Sequence, residues 1–244
     1  KVLILELPFI PISIVFSGMN KADHLRKVPI FTDLNETDLT KIGEKMISRV
    51  YEKGQMILLE ESSGETFFIL TKGAVKVTRL SDDGREVILA ILSESDFFGE
   101  MSLLDGEGRS ANIVSNDHSE VLTLSRSDFL DCLETFPKIA IALLEELAVR
   151  LRKSDQQIES LSLSDSEQRI GITLIRLAEE LGTIKRGHVT VQNLPYQQDL
   201  ANMAGTSRET VSRTLKLFED KALVKRENRD LKIYNFDDFR QAFS

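Results

Sequence analysis

The feature that most constrains the fold of this chain is a change in hydrophobic period close to Phe136. Before Phe136, short β-branched and aromatic runs alternate with glycines, a pattern that is typical of strands joined by turns. After Phe136, apolar residues recur every three or four positions, which is typical of an amphipathic helix. The sequence therefore predicts an α+β protein in which a β-rich domain precedes a long helix and a further helical domain.

Apolar runs between Tyr51 and Ser125 predict the strands of the first domain. They are QMILLEE, ETFFILTKG, AVKVTRL, REVILAIL and EVLTLS. The turn Asp82-Asp83-Gly84 is a hairpin signal, because its glycine can adopt the positive φ that such turns need. Short strands at this spacing predict an all-β roll or sandwich, and the segment NETDLTKIGEKM predicts a helical lead-in.

A heptad-like seam follows the strands. Its members are spaced three and four residues apart, and they are Leu144, Leu147, Leu151, Ser154, Ile158 and Leu161. Such an a/d pattern indicates two helices packed side by side, so we expect a helix through which two chains form a homodimer. The alternative is one amphipathic helix that packs only on its own domain.

The N-terminal segment KVLILELPFIPISIVF is the most apolar stretch of the chain. A membrane-spanning helix needs about 20 apolar residues, whereas this segment is shorter and is interrupted by Pro8 and Pro11. A signal peptide is the alternative, but the small-residue cleavage motif is poor. We therefore predict an apolar extension over residues 1–20 and no membrane span, and we expect residues 1–18 to be dispensable, with Met19 as a possible internal start.

Charge and cysteine content exclude several classes of protein. A single cysteine excludes an internal disulfide, a cysteine-rich zinc site and a four-cysteine iron–sulfur cluster. The formal net charge of −8 argues against a chain that coats nucleic acid over its whole surface. The charge is uneven, however: it is −9 over residues 1–136, zero over residues 137–194 and +1 over residues 195–244. One local DNA-binding surface in the C-terminal part is compatible with this distribution.

After Ser164 the sequence predicts two helical stretches, an extended VTVQNL segment and then a pair of helices between Pro195 and Leu223. Gly205 permits a tight turn between the paired helices, and Thr206 or Ser207 can cap the second. The tail predicts two short strands around a turn at residues 227–230. The apolar positions that pack the paired helices together are Leu200, Ala201, Ala204, Val211 and Leu215.

The second helix of the pair carries the chemistry of a DNA-recognition helix. Arginine is the usual bidentate partner of guanine in the major groove, and a glutamate can accept from the cytosine amine. The following hairpin, with Lys225, Arg226 and Arg229, would be a wing near DNA phosphates. The alternative is an ordinary helical hairpin with a solvated charged face. The polar side of the helix presents Ser207, Arg208, Glu209, Ser212, Arg213 and Lys216.

The segment FFGEMSLLDGEGRSANIVS, residues 97–115, carries the chemistry of an anion site. Gly99 begins a short helical turn whose free backbone N–H groups favour an anion. Arg109 can take two phosphate oxygens, Ser110 adds a donor, and the acceptor-only Glu100 suits a sugar hydroxyl. The alternative is a surface loop with a Glu100–Arg109 salt bridge.

Both segments resemble those of a known family. FGEMSLLDGEGRSA resembles the phosphate-binding cassette of cyclic-nucleotide-binding domains, and TSRETVSRTLKLFEDKALV resembles the winged helix-turn-helix of the CRP/FNR superfamily, the catabolite activator family of bacterial regulators. The resemblance covers roughly residues 25–244. It implies a β-roll (double-stranded β-helix) sensor domain over residues 21–136, a dimerisation helix over residues 137–163 and a winged helix-turn-helix over residues 164–244.

The resemblance also implies roles for the site residues. Arg109 and Ser110 would hold a cyclic phosphate, Gly99 would contribute its backbone, and Glu100 would take the ribose hydroxyl. Arg208, Glu209 and Arg213 stand where the family contacts base edges of a TGTGA-like half-site. Ser212 matches the serine of the FNR branch, so the chain combines elements of both branches.

Ser154 interrupts the otherwise apolar seam, and a polar residue at such a position costs stability. In family members that bind cAMP, a hydroxyl residue at this place contacts the purine, so the resemblance implies that Ser154 and the adjacent Asp155 touch the base. The usual pair is threonine followed by serine, from which Ser154-Asp155 departs. The alternative is a serine that only sets helix register.

Together with the resemblance, the sequence predicts a cytoplasmic, dimeric transcription regulator that binds double-stranded DNA, and the resemblance implies control by a cyclic nucleotide, with cAMP first among the candidates. The resemblance also implies RNA polymerase as a partner. No cofactor, metal or catalytic residue is expected. The main alternative is the same regulator with another effector or none. A metal-dependent oxygenase would need a facial triad rich in histidine, which His24, His118 and His188 do not supply, and no membrane span or kinase motif supports a channel or kinase module.

Overall fold

The computed structural model describes residues 20–185 and 187–243. The predicted extension lies outside these residues except for Asn20, and so does the expectation that residues 1–18 are dispensable. The helices are α1 (Lys21–Leu25), α2 (Glu36–Lys45), α3 (Met101–Asp105), α4 (Arg126–Thr135), α5 (Pro137–Leu163), α6 (Ser166–Leu181), α7 (Gln197–Ala204), α8 (Arg208–Asp220) and α9 (Phe236–Phe243), with a 3-10 turn at Pro29–Phe31.

The strands are β1 (Ile47–Tyr51), β2 (Met56–Leu58), β3 (Thr66–Lys72), β4 (Val75–Leu80), β5 (Glu86–Leu92), β6 (Phe97–Phe98), β7 (Asn112–Ser115), β8 (Ser119–Ser125), β9 (Gly182–Lys185), β10 (His188–Val191), β11 (Val224–Glu227) and β12 (Asp230–Ile233). Two compact units divide the chain. Of the described residues, one unit contains 20–79 and 90–148, and the other contains 80–89, 149–185 and 187–243.

Two four-stranded sheets form the β-rich part, with strand orders β1-β8-β3-β6 and β2-β7-β4-β5. The α+β prediction, with an N-terminal β-roll, is confirmed. Strand β3 is buried on both faces, which explains why its sequence TFFILTK is a continuous apolar run rather than an alternating one. Phe67 and Ile69 pack with the helical layer, whereas Phe68 and Leu70 belong to the cluster between the sheets.

A helical layer covers the first sheet. Residues of α1, α2, α4 and the start of α5 share one buried cluster with Phe67, Phe97 and Leu124. Phe67 stacks on Phe129 of α4, with ring centroids 4.5 Å apart. Pro137 is the first residue of α5, a position where its missing N–H costs nothing, and the helix continues without interruption to Leu163.

The second unit contains a sheet with strand order β11-β12-β10-β9 and the helices α6 to α9. Helices α6, α7, α8 and α9 contact one another around a cluster of phenylalanines. Phe218 of α8 lies edge-on to Phe239 at 5.7 Å and packs on Phe243 at 5.0 Å. A Cβ at Gly171 would lie 2.5 Å from the Phe243 ring, so glycine lets α9 approach α6.

The structure corrects one prediction for this part. The sequence predicts two helical stretches after Ser164, but the structure has the single helix α6 followed by the hairpin β9–β10. Gly187 has a φ of +79°, which provides the turn that a helix would not need. Within residues 20–185 and 187–243, every helix is too short or too polar to cross a membrane.

Candidate functional sites

The segment that was predicted to bind an anion forms a closed loop around α3. Gly99 has a φ of +84°, and a Cβ there would lie 2.8 Å from Nη1 of Arg109 and 3.0 Å from the carbonyl oxygen of Thr66. Glycine is therefore required at this position by both the backbone and the available space. The helical turn begins at Met101 rather than at Gly99, and Glu100, 3% exposed, precedes it.

Arg109 is the central side chain of this site. Only 5% of the residue is exposed, and its guanidinium donates to three protein acceptors. Nη1 donates to the Gly99 carbonyl and to Ser102 Oγ, both at 2.8 Å, and Nη2 donates to the Thr66 carbonyl at 2.8 Å. Burial lowers the pKa of Arg109, while the nearby Glu100 and Glu65 carboxylates act in the opposite direction. Two of the three acceptors of the guanidinium are main-chain carbonyls.

Arg109 has a buried donor that these three hydrogen bonds do not use. Its Nε is buried and has no hydrogen-bond partner among the described residues. A buried donor without a partner costs about 1–3 kcal/mol, so an acceptor placed there would be stabilising. Ser102, which the sequence reasoning did not select, occupies part of the site, and a Cβ on Gly64 would overlap its hydroxyl. Ser102 lies within the FGEMSLLDG segment, but the space for its hydroxyl depends on the absence of a side chain at Gly64, which is far away in sequence.

The structure brings Gly99 and Arg109 into contact as predicted and buries Glu100 beside them. Ser110 is exposed, and its hydroxyl lies 3.6 Å from the sulfur of Met101. Ser154 and Asp155 are exposed on α5 in the second unit. Their predicted contact with a nucleotide base stays a prediction.

The predicted dimer seam lies on one continuous helix, α5. Leu147 is half-buried and packs against the core of the first unit. Large apolar side chains elsewhere on this seam are exposed, and the exposed fractions are 66% for Leu144, 64% for Leu151, 60% for Ile158 and 48% for Leu161. Such a row of exposed leucines and isoleucines is unusual on a single soluble helix and has the spacing of a helix–helix interface. A homodimer through α5 stays a prediction.

Helices α7 and α8 form the predicted helix-turn-helix. Gly205 ends α7 in the left-handed conformation, with a φ of 59°. Ser207 caps α8, because its hydroxyl accepts the N–H of Thr210 at 3.1 Å. Val211, Thr214 and Leu215 face the core of the unit. The exposed side of α8 contains the predicted DNA-binding residues Ser207, Arg208, Glu209, Ser212, Arg213 and Lys216.

The cations of the wing are engaged within the protein. Arg226 pairs with Glu219 at 2.5 Å, and each side chain is 29% exposed. Lys225 pairs with Glu227 at 2.5 Å. Arg229 lies over the ring of Tyr196 at 4.6 Å. The expected wing is present as β11 and β12, but its Arg226 is directed toward α8 rather than offered to a phosphate.

Cys132 and the histidines do not form a metal centre in the part of the chain that the structure describes. Cys132 is buried in the helical layer, and burial raises the pKa of its thiol to about 11. No three potential metal ligands come together among residues 20–185 and 187–243. The thiol is therefore a core side chain rather than a reactive group.

Two family models match the chain. The cyclic nucleotide-binding domain matches residues 48–136, and the Crp-like helix-turn-helix domain matches residues 168–242. The first match contains the closed loop around Arg109, and the second contains α7, α8 and the wing.

Several characterised proteins are similar to the chain over most of its length. The cyclic AMP receptor protein of Thermus thermophilus is 32% identical over 81% of this chain and 88% of its own. The cAMP-activated global transcriptional regulator CRP of Pasteurella multocida is 34% identical over 75% of this chain and 88% of its own. The solved structure of FixK2 from Bradyrhizobium japonicum has the same fold, with a TM-score of 0.73, 21% identity and coverage of 82% and 98%.

Proposed function

The chain belongs to the CRP/FNR family of DNA-binding transcription regulators, which are not enzymes, and from this premise we propose that a cyclic nucleotide controls its binding to DNA. The first candidate is cAMP, the effector that the names of the two similar regulators contain. The nucleotide is an effector rather than a cofactor, because it takes part in no reaction. The site is the loop that holds Gly99, Glu100, Arg109 and Ser110.

The unpaired Nε of Arg109 is the observation that carries this proposal. A nine-tenths-buried guanidinium whose Nε has no acceptor is suited to bind an anion, since a phosphate oxygen supplies the acceptor that the protein leaves out. Glu100, buried beside it, is an acceptor suited to a ribose hydroxyl. Ser154 and Asp155 of α5 would contact the base.

The same proposal covers the rest of the molecule. Residues 21–136 form the sensor domain, residues 137–163 the dimerisation helix and residues 164–244 the DNA-binding domain. Two chains pair through α5, and their two α8 helices contact half-sites about 34 Å apart on an inverted repeat with TGTGA-like halves. The nucleotide binds the DNA-competent state more tightly than the other state, because a ligand with equal affinity for both would shift nothing. RNA polymerase is the proposed partner at promoters, in the cytoplasm.

A second candidate function is favoured by the hydrogen bonds that Arg109 already makes. Gly99, Ser102 and Thr66 supply three acceptors, so the protein itself engages most of the guanidinium without any ligand. In this second candidate, the Arg109 guanidinium only stabilises the loop through its hydrogen bonds to the protein, and the regulator responds to another effector or to none.

Titration with nucleotides separates the two candidates. Isothermal titration of the full chain with cAMP, cGMP and a cyclic dinucleotide, followed by fluorescence anisotropy on an inverted-repeat duplex with and without the bound nucleotide, measures both binding and response. Binding of one nucleotide that raises DNA affinity supports the first candidate. High DNA affinity without any nucleotide binding supports the second.

The variant Ser102→Ala tests whether Ser102 competes with a phosphate for Arg109. It removes the hydroxyl that accepts from Nη1 of Arg109 and leaves both main-chain acceptors, so a phosphate meets a freer Nη1 and nucleotide affinity should rise several-fold. Ser119→Ala is the matched control, because it removes an equally buried hydroxyl that bonds to the Ala74 carbonyl instead. Equal nucleotide affinity in Ser102→Ala and wild type would contradict the idea that Ser102 competes for the anion site.

A further inference from the structure

Arg169 joins three helices through one guanidinium. It lies in the first turn of α6, directly after the capping box of Asp165 and Gln168. Its Nη1 donates to the carbonyl of Ser164, the residue that follows α5, at 2.9 Å. Its Nε donates to the carbonyl of Ala204, the last residue of α7, at 2.9 Å, and Nη2 donates to the carbonyl of Gly205 at 3.2 Å.

The position of Arg169 is unfavourable for its own helix and favourable for the other two. A cation near a helix N-terminus opposes the macrodipole, and Arg169 is near the N-terminus of α6. The carbonyls that it contacts, however, are at the C-terminal ends of α5 and α7, where a cation is stabilising and where the last carbonyls lack intrahelical partners. The Arg169 side chain therefore stabilises the junction between α5 and α7 rather than its own helix α6.

An apolar contact reinforces the same junction. A Cβ on Gly205 would lie 2.9 Å from Cδ2 of Leu161, in the last turn of α5. The turn that starts with Gly205 continues through the bond from the Thr206 N–H to the Ala201 carbonyl, at 3.0 Å, and then reaches Ser207, the cap of α8. The end of α5 thus contacts the turn that sets where α8 begins.

We propose that Arg169 is a positioning residue for DNA recognition, which fixes the turn before α8 to the end of α5. This inference rests on α8 being the helix that contacts base edges. The planar guanidinium can meet acceptors from both helix ends at once, which a lysine ammonium on its flexible stem cannot do with the same geometry. Because Arg169 links the end of α5 to the α7–α8 turn, a change in the direction of α5 at its end would change the orientation of α8.

The test compares Arg169→Met and Arg169→Lys with Arg176→Met. Arg176 is the matched control, because it is a half-buried arginine of the same helix whose guanidinium donates to the side chain of Gln157 on α5. Fluorescence anisotropy of each full-length variant is measured on a TGTGA inverted-repeat duplex and on a scrambled duplex of equal length. Thermal unfolding of each variant is measured in parallel.

A positioning role predicts a specific loss. Arg169→Met should bind the inverted repeat about tenfold more weakly and the scrambled duplex with unchanged affinity. Arg169→Lys should recover part of the difference, and Arg176→Met should keep the wild-type ratio between the two duplexes. An equal loss on both duplexes, or a wild-type ratio in Arg169→Met, would overturn the proposal, and Arg169→Lys provides the same comparison should Arg169→Met fail to fold.

A double-mutant cycle gives an independent measurement. If Arg169 acts through α8, Arg213→Ala should reduce affinity for the inverted repeat less in the Arg169→Met background than in wild type. Additive effects would show that Arg169 does not act through Arg213. A wild-type protein that fails to distinguish the two duplexes would refute the assignment of α8 instead, so the two failures are distinguishable.

Discussion

The residues with the clearest chemical task lie on the outer face of α8. Arg208 and Arg213 are exposed, and within residues 20–185 and 187–243 neither forms an ion pair, in contrast to the wing cations Lys225 and Arg226, while Arg229 stacks on Tyr196. A solvated arginine at this place retains all five donors for a base edge. In the proposed DNA interface, the positive charge therefore comes from α8 more than from the wing.

Replacing Arg213 with alanine should relax specificity at one base pair. A bidentate contact to guanine contributes about 1–3 kcal/mol of discrimination against the wrong base, so the cognate and single-mismatch duplexes should become nearly equal. Competition binding with a set of single-base variants of the half-site measures this. Lys216→Ala is the comparison, because loss of a point charge should weaken binding to all duplexes alike. A uniform loss in Arg213→Ala would show that Arg213 contacts a phosphate.

At the scale of elements, the wing is attached to α8 by the Glu219–Arg226 pair. The carboxylate also accepts the Arg226 backbone N–H at 3.1 Å, so one side chain of α8 holds both the backbone and the guanidinium of β11. These hydrogen bonds lower the pKa of Glu219, and the hydrogen bond to Glu219 raises the pKa of Arg226. The pair thus joins β11 to α8 and neutralises the charge of Arg226.

This pair should make the stability of the protein depend on acid pH. The pKa of folded Glu219 lies below its ordinary value of 4.5, so its stabilisation is complete above pH 4.5 and is lost as the pH falls through the folded-state pKa. Because both side chains are partly exposed, the contribution is about 1 kcal/mol or less. Urea unfolding at a series of pH values, in wild type and Glu219→Gln, measures it.

Substituting either partner tests whether the Glu219–Arg226 pair causes the acid sensitivity. Arg226→Met should reduce the acid sensitivity as Glu219→Gln does, since removing the partner returns the pKa of Glu219 toward its ordinary value. If the two variants kept the full wild-type pH dependence between pH 3 and pH 4.5, other carboxylates would be responsible.

At the scale of the whole molecule, charge and exposed apolar surface are concentrated in different parts of the chain, which agrees with separate regions for ligand binding, dimerisation and DNA binding. Residues 1–136 have a net charge of −9, which discourages non-specific contact between the sensor part and DNA. The apolar surface of α5, with Leu144, Leu151 and Ile158 exposed, is the surface that a second copy of the chain would cover. Two copies give two recognition helices, which an inverted repeat requires.

Leu151→Glu should separate the proposed dimer into monomers. The substitution places like charges opposite each other in an apolar seam, which is unfavourable both by repulsion and by desolvation. Sedimentation velocity should show a monomer, and affinity for the inverted repeat should fall about 10²-fold or more because the second half-site no longer benefits from linkage. Gln156→Glu, an exposed change outside the seam, should leave the mass and affinity unchanged. A dimeric Leu151→Glu protein would contradict pairing through α5.

The sequence by itself determined the order of elements and the chemistry of the two sites. Hydrophobic period distinguished the strands from α5, and the turn glycines with their flanking apolar residues located α7 and α8, because these patterns are local and depend on a few neighbouring residues. The same local information placed Gly99, Glu100 and Arg109 in one short segment. It predicted the extended VTVQNL segment that contains most of β10 but mistook β9 for helix, because strand pairing is decided by a partner and not by propensity alone.

Only the tertiary structure decided which acceptors the arginines meet. Arg109 is held by the carbonyl of Thr66, Arg226 by a carboxylate of α8, and Arg169 by the carbonyls of Ser164, Ala204 and Gly205. Main-chain carbonyls carry no signature in a sequence, since every residue has one. Their positions are fixed by how helices and strands pack, so the difference between a free recognition arginine and a structural one is visible only after folding.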